Sequence, residues 1–392
     1  SRASGFSFSG SWSPGTFRLP APSPFPAPVR PGKDPIVHTR LFLPGPTEVH
    51  PDVRAEMSRP PIPHRSEEAT ALGESIVWQL QTLLHTSSPV FLSTSSSTGL
   101  MEAVVRNGSA RRFLAVVSGA FGERWYAICG MCGKEVDALE VEWGRAARPE
   151  QIRDALRTGR YDAVLVTHNE TSTGILNPLP EIAAVVREFP DVFLFVDAVS
   201  SAGAVDVDLD AWGIDGLLAG TQKGLAVPPG FAVMAVSERA IERARGIENR
   251  GFYFDFVRHY AAYQKKQGIT TPSTPHLYAL DFQLERILEE GMPAREARHA
   301  RMAERTREWA RDRFALFAEP GFESVTLTTI RNTRGIDVGE LNRALAERGA
   351  VIGNGYGKLK NKTFRIAHMG EIQLDEIEEL LGWIDEILGL DR

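Results

Sequence analysis

The 392-residue chain is poor in cysteine, in excess charge and in long apolar runs, and each shortage closes off a class of protein. Two cysteines cannot cross-link a fold of this size, so disulfides do not hold it together and the expected compartment is reducing, as the cytoplasm is. Lysine and arginine number 44 against 50 acidic residues, a formal net charge of −6. Nucleic-acid binders normally carry a basic excess or stripe, so this balance argues against one. No apolar run approaches the ~20 residues that a membrane span requires. The longest candidate, Gly224 to Val236, is interrupted by Pro228 and Pro229. What is present is 43% hydrophobic and 24% charged, ordinary usage for a chain that buries a core, with length for two or three domains.

Residues 1–40 depart from that average. They are Ser-rich and then Pro-rich, hold one acidic residue before His38 (Asp34), and show neither the 2 nor the 3.6 period. Such a stretch cannot offset its ordering entropy by burial, so a disordered extension is expected. Low acidity with Arg2, Arg18 and Arg30 is also the composition of an organelle transit peptide, which keeps a targeting role open.

From Leu41 the pattern is α/β. Short β-branched runs at Pro89–Leu92, Phe113–Val117, Ala163–Thr167, Val192–Val196, Gly216–Ala219 and Phe231–Val236 alternate with helical periods. Strands spaced by helix-length segments predict a mainly parallel sheet covered on both faces. The polar residues follow the strands, at the carboxyl edge where open α/β sheets bind ligands. One long helical stretch is expected from Leu280 to Phe314. A smaller α+β unit follows: strands near Val325–Ile330, Val351–Ile352 and Thr363–Ala367, a helix capped by Asp337, and a closing helix Leu374–Leu388. The expected domains are therefore 41–285 and 286–392, the second including the linking helix.

Three strand ends carry the chemistry. Lys223 sits among small residues in AGTQKGLAVPPG, where desolvation would lower its pKa towards an amine able to form a Schiff base. Asp197 closes the apolar run VFLFVD, and a lone carboxylate there needs a partner or serves as a helix cap. Ser96, Ser97 and Thr98, in STSSSTG before a helix, combine hydroxyls with free N–H groups as a phosphate cradle would. Taken singly, each also suits a solvated surface group, a cap or a flexible loop. Taken together, phosphate cup, acid and Schiff-base lysine are the groups that pyridoxal 5′-phosphate (PLP) requires.

The chain from about Leu41 to Leu388 resembles the class V aminotransferases of PLP fold type I, and within them the alanine-glyoxylate and serine-pyruvate (serine-glyoxylate) branch. The stretches carrying the resemblance include LFLPGPTEVHPDV, SSSTGLMEAVVRN, SGAFGERW, THNETSTGILNPL, VDAVSSAGAVDVDLDAWGIDGLLAGTQKGLAVPPG, TPSTPHLYAL and FRIAHMGE. The resemblance implies a PLP-dependent transaminase that moves an amino group from a small amino acid to a 2-oxo acid. Lys223 would carry the Schiff base and Asp197 would pair with the pyridine nitrogen. Phe121 would stack on one ring face and Val199 on the other. Thr171 would bond the ring oxygen. Ser97, Thr98 and Gln222 would hold the phosphate, with Thr271 reaching in from the partner subunit of a homodimer. Arg365 would bind the substrate α-carboxylate.

His64 and Arg65, in HRSEE, lie where related phosphoserine aminotransferases place a pair that receives substrate phosphate; packing against a partner subunit is the other reading. They define the alternative of a phosphoserine or aspartate aminotransferase. A PLP-dependent lyase or desulfurase would need a nucleophilic cysteine in the C-terminal half, and both cysteines precede residue 133. Cys129 and Cys132 form a CxxC without the further ligands of a zinc site, so no metal is expected. Asp206, Asp208 and Asp210 imitate a calcium loop, but Ala211 stands where its glycine belongs and Leu217 where its final glutamate belongs. The Gly-rich segment 353–362 reads as a loop near the substrate. Because the resemblance starts only near Leu41, deleting residues 1–35 is expected to leave PLP binding and turnover intact. Titration of the truncated protein with PLP checks this, and a large loss would make the head part of the enzyme.

Overall fold

The computed structural model describes residues 38–390, and the expected disordered extension over residues 1–40 lies almost wholly outside them. The strands are β1 (Arg40–Phe42), β2 (Val90–Ser93), β3 (Phe113–Val117), β4 (Val136–Glu140), β5 (Ala163–Thr167), β6 (Asn169–Glu170), β7 (Ile175–Leu176), β8 (Phe193–Asp197), β9 (Gly216–Gly220), β10 (Ala232–Val236), β11 (Ala315–Leu316), β12 (Leu327–Arg331), β13 (Ala350–Asn354) and β14 (Thr363–Ala367). Seven form the larger sheet in the order β2-β10-β9-β8-β5-β3-β4. The β9-β8-β5-β3-β4 segment is parallel, as its near-continuous apolar sequence requires, and β10 and β2 pair antiparallel at one edge. The fully buried runs FLAVV, AVLVT and FLFVD are read correctly from the sequence to within a residue.

Helices cover both faces. One face packs Ile76, Leu80, Leu179, Ile182 and Leu284 against Val164, Val166, Leu194 and Val196 of the sheet. The other packs Leu100, Met101, Val104, Trp125 and Ile241 against Phe113, Leu165, Phe195 and Met234. These sets alternate along each strand, so the period-2 geometry sends successive residues to opposite cores. Close approach explains two glycines here: a Cβ on Gly108 or Gly216 would meet the Phe195 ring at 2.6 and 2.7 Å.

The smaller sheet has the order β1-β13-β14-β12-β11. Its first strand comes from the other end of the chain: Arg40–Phe42 runs parallel to β13, with Phe42 opposite Ile352. The expected division at 285 places residues 41 and 42 with the larger half, whereas Phe42 packs with Trp309, Ile330, Phe364 and Ile377 under the smaller sheet. The long helical stretch is two helices, Thr274–Glu290 and Met292–Arg313. Gly291 separates them with φ +76° and ψ 138°, a conformation that glycine adopts at little cost. Side chains before this break join the larger core, and those after Met292 join the smaller one. Asp337 caps the helix Val338–Glu347 as expected, accepting from Gly339 and Glu340 N–H at 2.7 and 3.1 Å. Among the described residues, no helix is long and apolar enough to cross a membrane.

Candidate active site

Lys223 follows β9 on a turn that is held by its own backbone. Val227 N–H donates to Thr221 O at 2.8 Å, Ala226 N–H donates to Lys223 O at 2.9 Å, and the Thr47 hydroxyl donates to the same oxygen at 3.1 Å. The Lys223 stem lies across Gly45, whose φ is +116°; a Cβ there would sit 2.5–2.6 Å from Lys223 Cδ, Cε and Nζ. The ammonium donates to Pro44 O. Burial, and then the positive Arg365 and Arg124, push the Lys223 pKa down to about 8, against the pull of Asp197.

Asp197 ends β8, the neighbour of β9, and is 5% exposed. Val199 N–H donates to Oδ1 at 2.9 Å, and among the described residues no cation pairs with this carboxylate within 4.0 Å. Burial raises its pKa to about 6, the Glu170 charge adds to the rise, and the Val199 bond, Lys223 and Arg124 oppose it.

The serine run begins the helix Ser97–Asn107, and its N-cap Ser96 makes no side-chain capping bond. The Ser97 hydroxyl is buried without a hydrogen-bond partner. Across from it, a Cβ on Gly220 would collide with Ser97 Oγ and approach the Gln222 amide at 2.9 Å. Uncapped N–H groups, an orphan hydroxyl and a glycine clearance make a cradle for an anion. Arg124 stands beside it, with Nη1 donating to Thr98 Oγ1 at 3.1 Å.

Phe121 lies in the first turn of the helix Ala120–Met131. Its ring stacks on Tyr356 (centroids 5.7 Å apart, planes 23° apart), and the Arg124 guanidinium sits 4.7 Å from its centroid. Arg124 Nη2 donates to Tyr356 Oη at 3.3 Å, so the Gly-rich segment, whose first two residues end β13, reaches this wall. Arg365 stands on β14 opposite Thr329 of β12 and Gly353 of β13. It donates to Asn354 O at 2.9 Å and to Thr171 O at 3.1 Å, and among the described residues no carboxylate lies within ion-pair distance. Burial lowers its pKa to about 10. A 9% exposed guanidinium bonded only to carbonyls retains the capacity to clamp an anion.

The structure therefore gathers Ser97, Thr98, Phe121, Thr171, Asp197, Val199, Gln222 and Lys223 along one edge of the larger sheet, with Arg365 reaching Thr171 from the smaller sheet. It places His64, Arg65 and Thr271 elsewhere, exposed on the lining of a cleft of about 890 Å³ that none of those residues lines. The sequence reading passes over four contributors: Glu170, Arg124, Tyr356 and the Pro44-Gly45 pair. Each lies in a segment already singled out, but its role depends on a distant partner. Of the motifs set aside, Cys129 is buried and its thiol is pushed up to about 12, too high for a reactive thiolate at neutral pH. Asp208 caps the turn at Ala211 N–H (2.8 Å), Asp210 accepts from Thr86 and Ser87, and Asp206 pairs with His85 at 2.9 Å.

Comparison with known proteins gives one consistent result. The class V aminotransferase family model matches residues 48–360. An uncharacterised aminotransferase of Methanocaldococcus jannaschii is 39% identical over 339 residues, which is 84% of this chain and 87% of that one. The serine–glyoxylate aminotransferase of Methylorubrum extorquens is 33% identical over 365 residues, 88% of each chain. A solved alanine–glyoxylate aminotransferase from a Nostoc species superposes with a TM-score of 0.86 at 30% identity, covering 92% of this chain and 98% of that one.

The lowered Lys223 pKa has a direct consequence for the free protein. Its neutral amine is populated above a pH of about 8, whereas ordinary lysines require about 10.4. Acylation at limiting reagent, followed peptide by peptide across pH, should show Lys223 reacting with a midpoint near 8. A midpoint with the surface lysines would contradict the desolvated setting.

Proposed function

The chain belongs to the class V aminotransferases, and on that premise we propose that it moves an amino group from serine or alanine to glyoxylate or pyruvate. It is a PLP-dependent transaminase of the type I fold. The observation that carries the assignment to these residues is the orphan Ser97 hydroxyl on the same edge as an unpaired Asp197 and a low-pKa Lys223. Ser96, Ser97, Thr98 and Gln222 would hold the cofactor phosphate, Asp197 the ring nitrogen, Phe121 and Val199 the two ring faces, and Thr171 the region of the ring oxygen. Lys223 would hold the cofactor covalently through Nζ. When bound, PLP supplies an electron sink and stores the amino group between the two half-reactions.

The remaining steps belong to the chain. Arg365 takes the substrate α-carboxylate as a bidentate fork, exchanging carbonyl partners for a charged one. Lys223, whose pKa is lowered to about 8, would move the proton between the substrate α-carbon and cofactor C4′, first as general base and then as general acid. Asp197 must be ionised to hold a proton on the ring nitrogen; its pKa of about 6 belongs to the free protein, and a cationic partner would pull it down. Phe121 and Tyr356, stacked on each other, form one wall of the site. His64, Arg65 and Thr271 line their own cleft, and we assign them to the other active site of a homodimer, with Thr271 completing that phosphate cup.

Mixing the PLP-loaded protein with single amino acids tests this. Serine or alanine should bleach the visible absorbance within the first half-reaction, while aspartate and phosphoserine should react more slowly. Lys223→Ala should abolish turnover, and Arg365→Lys should raise KM roughly 10–100-fold, the loss of one charged bond or two. No bleaching by any donor, or full turnover by Lys223→Ala, would refute the assignment.

A further inference from the structure

Glu170 is fully buried, ends β6, and approaches no cation within ion-pair distance among the described residues. Its carboxylate is instead filled by donors. Oε2 accepts from Phe121 N–H at 3.0 Å and Gly122 N–H at 3.1 Å; Oε1 accepts from Ser172 N–H at 3.1 Å and the Ser172 hydroxyl at 2.5 Å. Ser172 Oγ in turn accepts from Ala120 N–H at 3.0 Å. Three successive N–H groups at the start of the helix Ala120–Met131 are thus satisfied by one strand segment roughly 50 residues further along the chain. The helix needs this, because its own N-cap is Gly119, which has no side chain to cap with. The absence of that side chain is equally necessary, since a Cβ on Gly119 would collide with Glu170 Cγ and Ser172 Oγ.

The capped turn carries Phe121 and Arg124, and the residue after Glu170 is Thr171, whose carbonyl takes the Arg365 guanidinium. We propose that Glu170 is the positioning residue of this active site: from a neighbouring strand it caps the Phe121 helix and fixes the stacking ring, and the segment it anchors fixes Thr171 against Arg365. The carboxylate touches neither substrate nor cofactor in this assignment; its effect on PLP affinity runs through Phe121, and the Thr171–Arg365 contact bears on the substrate. A glutamine is a poor replacement, because its NH2 would face the Phe121 and Gly122 N–H groups on one side or the Ser172 N–H on the other. An aspartate is one methylene too short to reach both Phe121 and Gly122. The inference rests on the PLP-binding reading above.

The test is a double-mutant cycle on PLP affinity and on the visible circular dichroism of bound PLP, with far-UV dichroism confirming the fold. Glu170→Gln should weaken PLP binding about 10-fold, in line with one lost charge-assisted bond, and reduce the induced visible signal per bound cofactor. Phe121→Leu should do likewise, and adding Glu170→Gln to it should cost less than about twofold more, because the ring through which Glu170 acts is already gone. Ser172→Ala, a milder change that leaves the carboxylate in place, should weaken binding about threefold, a fraction of one bond, and is the readout if Glu170→Gln does not fold. Unchanged affinity and dichroism in Glu170→Gln, fully multiplicative losses in the pair, or a Ser172→Ala protein that binds as wild type would overturn the proposal while the cofactor assignment stands. A wild-type protein that binds no PLP would overturn both.

Discussion

The site depends on ionisable groups being buried together without direct pairing. Lys223, Asp197, Arg365 and Glu170 lie in one region, yet each spends its hydrogen bonds on backbone groups or a serine: Pro44 O, Val199 N–H, Asn354 and Thr171 O, and the Phe121 helix N–H groups. Burial accordingly moves all four in the neutral direction, the acids up and the bases down. A cluster left in this state costs stability, and perturbed groups gathered in one region are characteristic of a reaction centre rather than of a scaffold. Glu170 is already satisfied by its four donors; what would satisfy Lys223, Asp197 and Arg365 is a molecule carrying a carbonyl and a basic ring nitrogen, together with an amino acid carboxylate.

The topology explains how one edge collects these groups. β5, β8 and β9 are parallel neighbours, so the residues that follow them emerge side by side: the Asn169–Thr171 segment, Asp197, and Lys223. The serine run follows β2, which pairs antiparallel with β10 and therefore runs the same way as β9, so Ser97 at the start of its helix emerges at the same edge, against Gly220. The smaller sheet closes the opposite side, delivering Arg365 from β14 and Tyr356 from the loop after β13. The two sheets thus contribute from opposite sides, Arg365 and Tyr356 from the smaller and Ser97, Asp197 and Lys223 from the larger.

Local signals in the sequence fix what is local. FLAVV, AVLVT and TFRIA are readable because every residue in them is buried and flanked by polar turns, and Asp337 because a cap needs only the next three residues. The strand Arg40–Phe42 escapes assignment to the smaller sheet because its partner lies some 310 positions away, and a three-residue run carries no period. The break at Gly291 escapes because glycine within a helical pattern is often tolerated, and the apolar spacing continues on both sides. Glu170 reads as an ordinary acidic loop residue until the uncapped Gly119 helix is seen beside it. Tyr356 is hidden in the same way, since nothing in GNGYG announces an aromatic wall formed with Phe121. His64, Arg65 and Thr271 are legible as motifs, but the fold places them on a cleft of their own, apart from Lys223 and Asp197.

The central claim is that Lys223 is the amine that holds the cofactor. Borohydride reduction of the PLP-treated protein, followed by peptide mapping, tests it most directly. One pyridoxyl phosphate per chain on the peptide containing Lys223 is the expected result. A label on any other lysine, or a label that persists at full stoichiometry in Lys223→Ala, would contradict the account.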